Sequence, residues 1–303
     1  MRVVSLLPSA TEIVYALGVE PVATSHECDH PPEATDTPCV VESRIDASAS
    51  SADIDSQVQQ AESDGGVYAI DREALADADP DLVISQGICE VCAVDTVVVE
   101  EAIAELGLDC ELLTTDPHSL GDIFEDIERI GAALGREERA ESLLAGLRGR
   151  VEAVERRVGD TDDRPEVAIL DWLDPAMVAG HWVPELVDLA GGRYGLADPG
   201  DASTPREWAE IRDYDPDVLV AAPCGFELEQ TFENLTDLTD RPGFSDLRAV
   251  ESNRAYAMDG HHLMNRPGPR VVDTLETLAA LLHPEAFEAP EEWAARPLVR
   301  TTA

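Results

Sequence analysis

Residues 72–85 read REALADADPDLVIS, and residues 206–222 read REWAEIRDYDPDVLVAA. Each stretch starts at Arg-Glu, passes through a short helix-period segment, turns at Asp-Pro-Asp and enters an apolar run. The second copy carries two extra residues. Pro locks its own φ and bars α conformation in the residue before it, so Asp-Pro-Asp ends one element and starts another. The runs that follow lack polar alternation, which is the pattern of strands buried on both faces of a parallel sheet. The opening VVSLLPSATEIVYALG (residues 3–18) has a fainter echo in VAILDWLDP…VPELVDLAGG (residues 167–192). Two similar α/β halves are the economical reading.

Working outward, strands are expected at Val3–Leu7, Pro21–Thr24, Leu82–Ser85 and Glu111–Thr114, then at Val167–Asp171, Val218–Ala222 and Arg254–Met258. Ser9-Ala-Thr-Glu12 has the spacing of a helix capping box. From Ser119 to Val158 apolar residues recur at helical spacing, predicting one or two helices that connect the halves. Residues 47–56, rich in Ser, Ala and Asp, could start a further helix that stops at Gly65-Gly66. The expected organisation is therefore an N-terminal lobe (1–117), a connecting helix (118–160), a C-terminal lobe (161–285) and an acidic surface tail (286–303). The fold class is α/β: two Rossmann-like lobes with parallel sheets, joined by a long connecting α-helix.

The 303 residues hold 63 Asp and Glu against 21 basic residues, a formal charge of −42. Every basic residue is Arg; there is no Lys. Nucleic-acid binding by phosphate neutralisation needs a basic face and is excluded, and docking on an anionic membrane is disfavoured. A hydrophobic share of 44% is that of an ordinary globular core. The acid excess is the expected adaptation to a salty, halophilic interior, where molar salt shortens the screening length to about 3 Å. No run approaches the roughly 20 apolar residues of a membrane span. Met1–Gly18 shows neither the apolar core length nor the cleavage site of a secretory signal. A cytoplasmic location is expected from the sequence as written, or the extracellular face of the membrane if a leader precedes it. The six cysteines are then expected to be reduced.

In open parallel sheets ligands gather beyond the C-terminal strand ends. The loops there carry His26, Cys28 and His30; Gln86, Cys89 and Cys92; Trp172, His181 and Trp182; Cys224 and Phe226; and His261, His262, Arg266 and Arg270. Cys89 and Cys92 form half of a zinc-ribbon signature with no second CxxC, and Glu90 between them argues against a thioredoxin-like redox pair. Cys28, Cys89, Cys92 and Cys224, with His26 or His181, could hold a soft transition metal across the lobes, or could simply be small residues lining a pocket. Cys39 and Cys110 are expected in the core, and His118 and His283 on the surface. Arg266 could meet an anionic ligand group, whereas Arg270 at a helix start reads as structural. GxGxxG, GxxxxGK[ST] and HExxH are absent from the sequence.

The ordered set VVSLLPSATEIVYALG, SHECDHPP, DPDLVI, PAMVAG…VPELVDLAGG, DPDVLV and RPGPRVVD resembles the two-lobed, helix-linked substrate-binding proteins of ABC importers for cobalamin, iron–siderophores and haem. The likeness covers about residues 1–284 and is strongest to the cobalamin-binding branch. It implies a ligand held between the lobes, with no catalytic residues, and places His26, Tyr68, Gln86, Trp172, His181 and Arg266 around that cleft; Trp182, Phe226 and His262 of the strand-end loops are the further candidate ligand residues. His26 and Gln86 stand where relatives typically use aromatics. It further implies an importer permease docking on Glu73 and Glu207, the acids of the internal repeat. Cobalamin or another corrinoid is the expected ligand. The alternatives are a cytoplasmic soft-metal (Zn, Fe or Co) binding protein, or a metal-dependent enzyme built on the Cys/His set.

Overall fold

A computed structural model describes residues 1–63, 66–88, 94, 96–159 and 163–298. The N-terminal sheet contains β1 (Val3–Ser5), β2 (Ala23–Ser25), β3 (Cys39–Ser43), β4 (Tyr68–Ile70), β5 (Leu82–Gln86) and β6 (Glu111–Thr115), in the order β4-β3-β2-β1-β5-β6. The C-terminal sheet contains β7 (Val167–Trp172), β8 (Met177–Val178), β9 (Thr204–Pro205), β10 (Val218–Ala221), β11 (Ala255–Met258) and β12 (Ala295–Pro297), in the order β12-β11-β10-β7-β8-β9. All seven expected strands form. The sheets are mixed rather than wholly parallel, because β4, β8 and β12 each pair antiparallel with a neighbour. Residues 286–303 were expected as a surface tail, yet β12 pairs with β11 and buries Ala294 and Ala295.

The repeat has a structural cause. In both copies the first Asp, Asp79 or Asp215, closes a short helix (Arg72–Ala78, Trp208–Tyr214) in left-handed conformation, with φ of 42° and 47°. In both, the second Asp turns back on the residue preceding the first strand of its lobe. Asp81 Oδ2 accepts from the Arg2 backbone N–H at 2.6 Å, and Asp217 Oδ2 accepts from the Glu166 N–H at 2.9 Å. Asp-Pro-Asp thus aligns β5 on β1 and β10 on β7 by the same bonds.

Strand side chains alternate between faces. Val167 and Ile169 of β7, with Val218 and Val220 of β10, enter one core; Ala168, Leu170, Leu219 and Ala221 enter another. The first of these cores is continuous across both lobes, through Val3, Ile13, Ile127, Leu144, Leu147, Val151, Val154, Leu186 and Leu275.

The connector is two helices, Leu120–Ala133 and Glu137–Val158, broken at Gly135, whose φ is 62°. The second, with 22 residues, is roughly 33 Å long at 1.5 Å per residue. Its Arg139 donates to Ala16 O in the N-terminal lobe at 2.9 Å, and its Arg150 pairs with Glu276 in the C-terminal lobe at 2.7 Å. No described helix is long and apolar enough to cross a membrane.

Candidate functional site

Most of the site loops leave the same edge of their sheets, whereas His181 follows β8, which runs antiparallel to β7 away from that edge. His26 follows β2, Gln86 ends β5, Trp172 ends β7, Phe226 follows β10, and His261 and His262 follow β11. Tyr68 joins them because β4 runs antiparallel: its first residue pairs with Ser43, the last of β3. The lobes meet at several places. Beyond β2, Asp29 Oδ2 lies 3.0 Å from His261 Nε2 and 3.1 Å from His262 Nε2. Beyond β6, the rings of His118 and His181 are 5.4 Å apart, and His118 Nδ1 lies 3.3 Å from Gly200 O. In sheet order β2 and β6 are three strand spacings apart, about 14 Å at 4.8 Å each. A third contact crosses outside them, where Ser51 N–H donates to Asn234 Oδ1 at 3.2 Å and the Gln230 amide donates to Ala47 O at 2.6 Å.

Each lobe carries an aromatic pair at its strand-end edge. The His26 and Tyr68 rings are 5.6 Å apart in one lobe; Trp172 and Phe226 meet edge-on at 5.2 Å in the other. His26 Nδ1 is 3.1 Å from Val41 O, and its Nε2 is 3.2 Å from Glu27, whose carboxyl is held below its ordinary range chiefly by that bond. His181 sits at φ 53°, with backbone bonds to Asp201 O and from Gly200 N–H. Gly180 before it is required, since a Cβ there would collide with the Asp201 carbonyl. Burial holds the His181 imidazole below its ordinary value, and its Nδ1 is buried with no hydrogen-bond partner. Asp171 keeps one carboxylate oxygen buried and unpartnered, and burial pushes its carboxyl up to about 6.

Several expected ligand residues are engaged elsewhere. Arg266 is 3% exposed and bonds Glu12 at 3.0 Å as well as Asp29, so no free guanidinium faces the gap from this position. Glu12 is correspondingly no capping-box acid: Leu7 is the N-cap, without a side-chain cap, and Glu12 accepts from Arg266 and from Arg270 Nε at 3.0 Å. This buried cluster ties the first helix to the C-terminal lobe, a long-range arrangement with no local sequence signal. Trp182 is 6% exposed and donates to Met264 O at 3.2 Å, making it a core residue. Phe226 is 2% exposed and supports Trp172 from behind.

The thiol cluster does not assemble among the described residues. Cys28 is buried, 3.0 Å from Thr11 Oγ1, and burial pushes its thiol up to about 12, which disfavours the thiolate a metal needs. Cys224 lies in the other lobe, its backbone N–H on Asp171 O. Cys89 and Cys92 fall outside the described residues. The group with metal-ligand spacing is instead Asp29, His261 and His262. Burial opposes ionisation of Asp29, but bonds from His261, His262 and Arg266 outweigh it and hold its carboxyl well below the usual range. Asp259, then Asp29, raise His262 to about 9. Sequence reasoning noted both histidines but missed Asp29, whose distance along the chain hides the convergence. Cys39 is exposed and Cys110 half-buried, contrary to the core expected for them, while His283 is buried rather than on the surface.

Glu73 and Glu207 are both exposed, Glu73 in the first turn of helix Arg72–Ala78 and Glu207 as the N-cap of helix Trp208–Tyr214.

Comparison with known proteins accounts for the architecture. The periplasmic binding protein family matches residues 3–261. An uncharacterised ABC transporter substrate-binding lipoprotein of Bacillus subtilis is 23% identical over 95% of this chain and 81% of its own. A cobalamin-binding protein of Halobacterium salinarum is 27% identical over 70% of this chain, which spans about half (55%) of that relative's length. A periplasmic haem-binding protein of Pseudomonas aeruginosa superposes with a TM-score of 0.74 at 21% identity, covering 100% of this chain and 99% of the other. The chain belongs to the periplasmic binding protein family of ABC-importer substrate-binding proteins, and is a binding protein rather than an enzyme.

Proposed function

We propose that this protein captures cobalamin or a related corrinoid between its two strand-end edges and presents it to an importer permease. The observation that supports the reading is the aromatic side chains at the strand ends of both lobes, His26 with Tyr68 on one and Trp172, backed by buried Phe226, on the other. Flat ligand faces pack on aromatic rings, and a few convergent polar groups fix their orientation. His181 Nδ1 and one oxygen of Asp171 are buried polar atoms without a partner. The continuous core through helix Glu137–Val158 supports a largely preformed gap rather than wide hinge motion.

Electrostatics favour a corrin over haem. Haem brings two carboxylates to a chain of net charge −42, and Arg266, the cation expected to receive an anion, is already neutralised by Glu12 and Asp29. A corrin periphery of neutral amides meets no such repulsion. The Halobacterium relative named for cobalamin supports the same choice. Glu73 and Glu207, exposed on separate lobes, are the acids we assign to permease docking. Family membership favours the outer face of the membrane over the cytoplasmic location expected from the N-terminus.

The test is retention of cyanocobalamin and of haemin, in parallel, on desalting and by absorption spectroscopy. Cobalamin should co-elute with a perturbed spectrum. Retention of haemin alone overturns the ligand assignment, and retention of neither overturns the site.

A further inference from the structure

Asp29 and His261 are 232 residues apart in sequence and come from opposite lobes. We propose that Asp29, His261 and His262 form a site for one divalent transition-metal ion of zinc-like chemistry at the seam between the lobes. One carboxylate oxygen, Asp29 Oδ2, faces both imidazole Nε2 atoms at 3.0 and 3.1 Å, and three ligand atoms of the group lie within 4.8 Å of one another. Two His and one carboxylate are a zinc ligand set that leaves a fourth position for water or a bound solute.

Two observations beyond proximity point to a cation. His262 has a carboxylate bonded at its far nitrogen, with Asp259 Oδ2 3.1 Å from Nδ1, whereas Glu27 Oε2 stands 3.6 Å from His261 Nδ1, beyond a hydrogen bond. A carboxylate behind the ring that holds a proton on Nδ1 turns Nε2 forward, the arrangement that supports a metal-ligating histidine. Arg266 engages Asp29 Oδ1 and leaves Oδ2 to the ion.

The inference does not depend on the corrinoid reading, because it needs only the free metal and the protein. Chelator-stripped protein is titrated with Zn²⁺ by calorimetry and with Co²⁺ by visible absorption. The expected result is one equivalent bound, with cobalt d–d bands of nitrogen/oxygen ligation and no thiolate charge-transfer band. Asp29→Asn and His261→Gln should abolish uptake, and Asp259→Asn should weaken it 10–100-fold. His262→Gln leaves the bonds of Arg266 intact, so it answers the question even if Asp29→Asn fails to fold. Replacing Cys28, Cys89, Cys92 and Cys224 with Ser should leave uptake unchanged. No uptake by the stripped wild type, uptake surviving in folded His261→Gln and His262→Gln, or loss of uptake with the cysteines alone each overturns the site.

Discussion

Arg266→Met removes the cation at the centre of the inter-lobe cluster, and the geometry sets the size of the effect. Arg266 bonds Glu12 at 3.0 Å, Asp29, and His261 Nε2 at 3.1 Å, with the Arg266 and Glu12 side chains 4% and 3% exposed. Breaking such a pair leaves a buried charge under-compensated, at a cost of about 3–5 kcal/mol, whereas an exposed pair is worth about 1 kcal/mol or less. Here Arg270 still reaches Glu12, and the two histidines still reach Asp29, so the lower end, about 3 kcal/mol, is expected. Urea unfolding at constant salt, followed by tryptophan fluorescence, measures it without changing the ionic strength. Arg72→Ala, which breaks the exposed pair with Glu105, is the control and should cost less than about 1 kcal/mol. Glu12→Gln should be costly alone, and the double variant should cost less than the two singles together, with a coupling above about 1 kcal/mol. An Arg266→Met protein within about 1 kcal/mol of wild type, or strict additivity with Glu12→Gln, would refute the view that this cluster holds the lobes together.

Trp172→Ala should weaken cobalamin binding about tenfold or more while barely changing stability. Trp182→Ala should do the opposite, costing about 3–5 kcal/mol of folding free energy, as large core truncations do. Affinity and urea midpoints measured on both proteins separate the two roles. Burial, only partly offset by Arg129, pushes Asp126 up to about 6 from an ordinary 3.8. Because the folded state then holds its proton more tightly than the unfolded chain, this group's contribution falls as pH rises from about 4 to about 6 and stays low above. Asp126→Asn should therefore gain on wild type across that window by up to about 3 kcal/mol, and a pH-independent difference rules this out. Raising KCl from 0.1 M to molar shortens the screening length from about 10 Å to about 3 Å, so the urea midpoint should climb steeply with salt. A flat response would remove the halophilic reading of the −42 charge.

The buried strands and the two Asp-Pro-Asp turns were legible in the residues because each rests on local chemistry. An apolar run wants two covered faces, Pro ends a helix, and Asp accepts a backbone N–H, so seven strands and the internal repeat follow from short windows of sequence. The site loops followed at one remove, since any parallel strand order delivers its C-terminal loops to one edge. Beyond that, local windows fall silent. β8 and β9 are two residues each and exist only because a neighbour offers hydrogen bonds. Glu12 matches a capping box over four residues but is claimed by two guanidiniums more than 250 residues away. Trp172 and Trp182 look alike in sequence, yet one stays partly exposed at the end of β7 and the other is locked in the core by a bond to Met264. Asp29 carries no motif and gains meaning only when β11 brings two imidazoles to it. Composition and turns are properties of neighbouring residues, but which charges neutralise one another depends on distances that the chain acquires only when the lobes close on each other.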